Sequence, residues 1–193
     1  MRTTSGRFVR ALCLACGMLC MTSVLYAASP LVWEGEQVAS FSGKAFKKIK
    51  LTGDPMGKVS GNWVVGIDKV EKGEKVAKDD VLYHVKIPAT GTYYLWGRVR
   101  WSTGCGNSFL MNIAGVKGNW ILGGDGTYEV LHWICLSDGP RQLALKLKKG
   151  TVDFKLSAKE SGTMLDQFLL TTDAKMVPAG IYTTTPNLLL MPK

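Results

Sequence analysis

The chain has 193 residues, 46% of them hydrophobic and 20% charged, which is typical of a single folded globular domain. Basic residues outnumber acidic ones by 24 to 15, but three arginines precede the first acidic residue, Glu34. Without those three, 21 basic residues face 15 acidic ones and the net charge is +6 rather than +9. The remaining lysines are scattered, as on a solvated surface, so the charge does not indicate nucleic acid as a partner.

The first 28 residues have the pattern of a cleaved secretory signal peptide. Arg2, Arg7 and Arg10 precede an uncharged apolar run at residues 11–24, and small residues follow it. As a helix this run would span about 21 Å, which is short of the roughly 30 Å hydrocarbon core of a bilayer. We therefore expect no membrane insertion after cleavage, and a protein that is secreted to the periplasm, the cell surface or the medium.

Cleavage would leave Cys105 and Cys135 as the only cysteines. Two thiols 30 residues apart exclude a zinc ribbon, an iron–sulfur centre and a CxxC redox site. In an exported chain they predict one disulfide, which would stabilise the fold by about 3 to 4 kcal/mol. The alternative is two independently buried thiols.

Alternation with a two-residue period recurs along the chain after residue 30, and no window keeps a helical period. The clearest example is a hairpin in which Pro88 and Gly91 mark the turn between two alternating runs. Strands are predicted at residues 31–40, 46–51, 58–67, 81–87, 93–101, 109–113, 131–135, 143–147, 152–156 and 164–172. Nine to eleven strands without crossover helices predict an all-β fold, an antiparallel β-sandwich of the jelly-roll type.

The pattern also divides the chain. We expect a signal peptide over residues 1–28, one sandwich domain over residues 29–180 and a C-terminal tail over residues 181–193. The tail is predicted because residues beyond Pro178 lack periodicity.

Several short patterns occur in an order that resembles a known family. The predicted domain opens with Val32-Trp-Glu-Gly-Glu36, the strand predicted at residues 93–101 contains Trp96-Gly-Arg98-Val, and the last strand contains Met164-Leu-Asp166. Over residues 31–180 this order resembles carbohydrate-binding modules of the galactose-binding-like superfamily, in families 6 and 35 and their malectin-like relatives. The resemblance implies a non-catalytic protein that binds a polysaccharide or cell-envelope glycan. A structural or adhesive surface protein that contacts other proteins is the alternative.

In the resembling modules a structural calcium ion ties the first strand to the last. Carried over by position, its side-chain ligands here would be Glu34, Glu36 and Asp166. Residues i and i+2 of a strand share one face, and Ca²⁺ prefers six to eight oxygen ligands, so this set is chemically reasonable. Alternatively, the two glutamates face solvent and Asp166 pairs with a lysine at a sheet edge.

Sugar recognition requires an aromatic ring against the pyranose and oriented polar groups for its hydroxyls. Tryptophans next to loops rich in small residues therefore predict the ligand contacts, although a tryptophan in a sandwich more often packs in the core. Our candidates are Trp101, Asn107 and Trp120, followed by Trp63 and Arg98.

No catalytic motif is present in the sequence. The two histidines, His84 and His132, lie in predicted strands, and neither G-x-S-x-G nor H-E-x-x-H occurs. Two distant carboxylates could still converge as in a glycosidase, yet a small sandwich offers few deep clefts. We expect a protein that is not an enzyme.

Overall fold

The computed structural model describes residues 29–51, 57–67 and 79–190, so the predicted signal peptide lies outside the described residues. These ranges contain fourteen strands and no helix, and hence no helix long and apolar enough to cross a membrane. The strands are β1 (Leu31–Glu34), β2 (Ser40–Ser42), β3 (Phe46–Lys50), β4 (Trp63–Ile67), β5 (Asp80–Ile87), β6 (Gly91–Trp101), β7 (Ser108–Ile113), β8 (Trp120–Gly123), β9 (His132–Cys135), β10 (Ser137–Asp138), β11 (Arg141–Gln142), β12 (Leu145–Leu147), β13 (Gly150–Ser157) and β14 (Thr163–Thr171).

Seven strands form one antiparallel sheet in the order β12-β6-β14-β4-β3. β1 also pairs with β14, and β9 also pairs with β6. The first and last strands of the sandwich are therefore neighbours, and β14 lies at the centre of the sheet.

Five further strands form a second antiparallel sheet in the order β2-β5-β13-β7-β8. The inner faces of the two sheets enclose a core whose largest fully buried side chains include Trp33, Tyr83, Trp101, Phe154 and Phe168. The predicted all-β antiparallel sandwich is confirmed. The predicted hairpin at Pro88 and Gly91 is wrong, because β5 and β6 lie in different sheets and pair with other strands. The turn between them carries the chain from one sheet to the other.

β5 shows how the sequence pattern becomes a sheet face. Val81, Tyr83, Val85 and Ile87 are at most 2% exposed, while the polar residues between them are more exposed. Each inward side chain removes apolar surface from water, which stabilises the fold by about 25 cal/mol per Å². The pairing register with β13 follows from that face, since a slip of one residue would turn the apolar set outward.

The segment beyond residue 180, predicted as a tail, packs against the sandwich. Thr185 exchanges hydrogen bonds with Val32 on β1, and Leu189 forms a β-bridge with Val85 on β5. Leu188 is only 4% exposed. Residues 183–190, which we call the C-terminal segment, therefore close the side of the sandwich between β1 and β5.

The predicted disulfide is not formed, and Cys105 and Cys135 are both free. Cys135 lies opposite Trp96 in the middle of β6, whereas Cys105 follows the end of that strand at Trp101. The five residue steps of β6 from Trp96 to Trp101 span about 16 Å, whereas a disulfide requires two Cα atoms within about 7 Å. This stretch of β6 separates the two cysteines.

Candidate functional site

Three loops meet at the end of the sandwich where β6 stops and β14 starts. They are residues 102–107, 124–131 and 158–162, and Asn107 joins all three. Its backbone N–H donates to Glu160 Oε2 at 3.0 Å, and its carbonyl accepts from Gly124 N at 3.0 Å. We call Asn107, Asp125, Tyr128 and Glu160 the loop-end surface.

Trp101 belongs to the core, which corrects its prediction as a ligand contact. The side chain is fully buried and its ring packs 5.5 Å from Phe109, centroid to centroid, so it offers no face to a ligand. Its Nε1 donates to Asp125 Oδ1 at 3.1 Å, and the same carboxylate lies 2.7 Å from His132 Nε2. The hydrogen bond from Trp101 therefore holds Asp125 in place from below the loop-end surface.

Tyr128 is the exposed aromatic residue of this surface, and sequence reasoning did not identify it. Its side chain is 39% exposed. A Cβ atom built on Gly104 would lie 3.4 Å from its Oη, an ordinary contact distance, so the Tyr128 hydroxyl lies next to the loop of residues 102–107. The signal in the sequence was the flexible Gly123-Gly-Asp-Gly126 stretch just before it.

Glu160 supplies an ionised acceptor to the loop-end surface. Burial opposes its ionisation, but hydrogen bonds from Asn107 N–H and Ser108 Oγ, and a contact with Lys159, outweigh it and lower the pKa of Glu160. The arrangement thus offers one exposed ring and two oriented carboxylates, which suits a ligand with hydroxyl groups.

The structure places the other predicted ligand residues elsewhere. Trp63 is 39% exposed at the far end of β4, with Lys50 Nζ 6.0 Å from its ring centroid. Trp120 begins the edge strand β8 rather than lying in a loop, and it is half-buried. Arg98 is 7% exposed within a different group of residues.

That group, which we call the polar cluster, connects β1, β6 and β14 to the loop before β4. It consists of Glu34, Ser60, Arg98, Asp166 and Gln167. The register of β14 against β6 shifts between Leu165 and Gln167, which leaves Asp166 without a Cα partner. Such a bulge re-aims side chains. Arg98 Nη1 forms an ion pair with Asp166, and Ser60 N donates to Asp166 Oδ1 at 2.8 Å. Asp166 therefore pairs with an arginine rather than with the lysine of the alternative expectation.

The predicted calcium ligands Glu34 and Glu36 are close to this cluster, and each has an oxygen in need of a partner. Glu34 Oε1 accepts from Ser60 and Gln167, but Oε2 of both glutamates is buried without a hydrogen bond among the described residues. Burial raises the pKa of Glu34, and burial together with the neighbouring carboxylates raises that of Glu36 to about 7. A hard cation would satisfy both oxygens.

The complete predicted set does not converge as a metal centre. Across residues 29–51, 57–67 and 79–190, no three His, Cys, Asp or Glu side chains are close enough to share a metal ion. The reason lies at Asp166, whose two oxygens are occupied by Arg98 and by the backbone of Ser60. Asp166 is therefore not free to bind a metal ion, and the unpaired Oε2 atoms of Glu34 and Glu36 are the predicted donors that remain.

Comparison with solved structures identifies the fold. The chain is similar to the C-terminal CBM6 of LamC, a marine laminarinase from Zobellia galactanivorans, with a TM-score of 0.51 and 17% identity over 74% of this chain and 98% of that one. It is also similar to a family 35 carbohydrate-binding module from Clostridium thermocellum, with a TM-score of 0.52 and 16% identity over the same two shares.

A third similar structure is a longer enzyme chain. The GH26-CBM35 β-(1,4)-mannanase from Podospora anserina gives a TM-score of 0.54 and 13% identity over 82% of this chain, but only 31% of the enzyme is covered. No family model and no curated protein matches the sequence. The fold is that of these family 6 and family 35 carbohydrate-binding modules, as the sequence patterns predicted.

Proposed function

We propose that this protein is an exported, non-catalytic carbohydrate-binding protein that holds a polysaccharide or cell-envelope glycan at its loop-end surface. The observation that carries the proposal is the fold, which the chain shares with modules of families 6 and 35 over 98% of their length. Export rests on the pattern of residues 1–28, which the structure does not describe.

The loop-end surface is chosen for its exposed ring and its oriented polar groups. Tyr128 can stack on the C–H face of a pyranose, and Asp125 and Glu160 can accept hydrogen bonds from its hydroxyls. Asn107 links the three loops and so maintains their relative position. Pre-positioned groups lower the entropic cost of binding.

The test is binding of residues 29–193 to a panel of neutral and acidic polysaccharides, measured by pull-down and then by calorimetry. We expect Tyr128→Ala to weaken binding about 10-fold or more, since loss of a central aromatic contact costs at least 1 to 2 kcal/mol. Phe41→Ala, which removes another exposed ring from the edge strand β2, is the matched control and should bind normally.

Salt and a site variant separate specific binding from the alternatives. A net charge of +6 without the first arginines attracts acidic polymers nonspecifically, and such binding falls at high ionic strength. Binding that is lost in Trp63→Ala but retained in Tyr128→Ala would move the site to the β3–β4 edge. A folded sample that binds no glycan would favour the protein-contact function, and release of reducing sugar would contradict the non-catalytic assignment.

We also propose that one structural calcium ion binds at Glu34 and Glu36, with backbone carbonyls completing its coordination. The support is the pair of buried carboxylate oxygens that lack partners in the described part of the chain. The ion would neutralise two neighbouring acids and connect β1 to the loop that follows it. Asp166 is left out of this ligand set because Arg98 already balances its charge.

A further inference from the structure

Most of the positive charge of the protein is concentrated around the edge strand β3. Residues 37–67 contain five lysines and one aspartate, a net charge of +4, whereas residues 11–193 together carry +6. Three of those five lysines lie in β3, and the side chains of Lys47, Lys48 and Lys50 are all exposed. Since β3 ends the seven-stranded sheet, this charge lies along one side of the sandwich.

An exposed tryptophan lies beside two of these lysines. Trp63 of β4 is 39% exposed and opposes Lys50 in the register of the two strands, with Lys50 Nζ 6.0 Å from its ring centroid. Lys48 opposes Val65, so its side chain leaves the same face of the sheet as those of Lys50 and Trp63. We call Lys48, Lys50 and Trp63 the basic edge.

Protection of the sheet edge explains only part of this arrangement. Lysines on an edge strand prevent pairing with another chain, but that role requires no aromatic ring. Tryptophan is mostly buried in folded proteins, and here it follows directly on an exposed turn with Gly61 and Asn62 at its tip. Trp63 N donates to Ser60 O at 3.4 Å, which closes that turn. The ring is therefore positioned to contact a second surface together with the lysines.

The chemistry of the basic edge matches the headgroup region of a membrane that contains anionic lipid. Tryptophan prefers this region because its ring contacts acyl chains while its N–H reaches polar groups. Lysine places its ammonium group on lipid phosphates and keeps its apolar stem near the hydrocarbon. In the described part of the chain no strand pairs with the outer side of β3, so the edge can approach a flat surface.

We propose that the basic edge binds the protein to the surface of a membrane that contains anionic lipid. Trp63 lies at the headgroup level, and Lys48 and Lys50 contact lipid phosphates. Glu36 balances part of the charge of Lys48, so Lys50 is the stronger anchor. The contact is peripheral and requires no membrane-spanning segment. It does not rest on the loop-end function, because no residue of the basic edge belongs to that surface.

The experiment is co-sedimentation of residues 29–193 with vesicles of phosphatidylcholine alone and of phosphatidylcholine mixed equally with phosphatidylglycerol. We expect binding to the mixed vesicles only, and weaker binding at high ionic strength because salt screens exposed charges. Mixed vesicles with brominated acyl chains should quench part of the tryptophan fluorescence of the parent. Trp63→Phe should lose most of that quenching, since Trp33, Trp96 and Trp101 are buried.

A charge-matched pair of double variants tests the location of the contact. Lys48→Gln with Lys50→Gln should weaken binding to the mixed vesicles about 10-fold or more, since each lysine near an anionic surface contributes about 5-fold. The control is Lys148→Gln with Lys149→Gln, which removes the same charge from exposed residues between β12 and β13. It should bind within about 2-fold of the parent. All four side chains are exposed, and circular dichroism should show that both double variants fold.

Three results would overturn the inference: no binding to the mixed vesicles, equal binding to phosphatidylcholine alone, or an equal loss in the control double variant. Polygalacturonate, an acidic polymer without lipid, tests the other partner class. If it binds through Lys48 and Lys50 while the vesicles do not, the partner is an acidic glycan and the membrane assignment is wrong.

Tyr128→Ala separates this surface from the loop-end surface, because it should leave vesicle binding unchanged. Failure of every polysaccharide to bind, with vesicle binding intact, would refute the loop-end function and leave the basic edge standing. Glycan binding that depends on Tyr128, with no binding to mixed vesicles, would refute the basic edge alone.

Discussion

Alternate residues of a strand place their side chains on opposite faces of the sheet, and β6 shows the consequence most clearly. Leu95, Val99 and Trp101 point into the core, while Arg98 points to the opposite face and meets Asp166. The same alternation was visible in the sequence, so it contained the signal that Trp101 is a core residue. Its position at the end of the strand, next to a glycine-rich loop, favoured the ligand interpretation instead.

The two cysteines should differ in reactivity. Cys105 is exposed, whereas burial raises the pKa of Cys135 to about 12, so little of its reactive thiolate is present at pH 8. We expect iodoacetamide to modify Cys105 in the native protein and Cys135 only after denaturation, as measured by peptide mass spectrometry. A 2 Da mass increase of residues 29–193 on reduction would show a disulfide and contradict the free thiols.

The pH dependence of stability should report on Glu36. In chelator, its folded pKa of about 7 lies above the ordinary glutamate pKa of 4.5, so the folded state binds more protons between these values. Stability is then highest below pH 4.5 for this group and falls as the pH rises to 7, by on the order of 3 kcal/mol. Thermal unfolding in chelator should show this decline, and Glu36→Gln should flatten it.

Calcium should stabilise the parent protein but not the Glu36→Gln variant. If the ion binds at Glu34 and Glu36, calcium raises the unfolding temperature of the parent at pH 8 and has little effect on Glu36→Gln. Glu129→Gln, which changes an exposed carboxylate on the loop of residues 124–131, is the control and should keep the calcium response. An identical shift in the parent and in Glu36→Gln would remove Glu36 from the ligand set.

At the scale of elements, the predictable strands are those with one face in the core. β5, β6, β13 and β14 alternate clearly or form apolar runs, because burial of one face selects such sequences. β8 was missed, since it is a four-residue edge strand that is partly exposed. The C-terminal segment was missed for a related reason, because isolated backbone bonds to β1 and β5 require no periodic pattern.

Two leucines of the C-terminal segment test whether it belongs to the folded domain. Leu188 is 4% exposed and Leu190 is 39% exposed. Leu188→Ala should lower the free energy of unfolding by about 2 to 3 kcal/mol, as expected for a buried leucine, while Leu190→Ala should cost less than about 1 kcal/mol. Urea denaturation measures both, and equal small losses would indicate that the segment does not contribute to stability.

At the scale of the whole molecule, the fold was predictable and the candidate site only partly so. The alternation of apolar and polar residues in strands, with glycine and proline in the turns between them, predicts a sandwich without knowledge of any contact. Part of the polar cluster was predictable, because sequence patterns place Glu34 on the first strand and Asp166 on the last, and these two strands pair. The loop-end surface depends on backbone hydrogen bonds among three loops, such as that from Gly124 to Asn107. Almost any residue type can form such bonds, so the sequence does not predict them.

The topology also predicts slow folding. β1 pairs with β14, so Trp33 faces Phe168 only after the chain closes a loop of more than a hundred residues. Sandwiches dominated by such distant pairings fold over milliseconds to seconds, whereas proteins rich in local contacts fold in microseconds to milliseconds. Stopped-flow refolding, followed by tryptophan fluorescence, should show burial of Trp33 and Trp101 with a relaxation time of about 10 ms or longer. Complete recovery within about a millisecond would mean that local hairpins such as β7–β8, rather than closure of the first strand on the last, limit the rate.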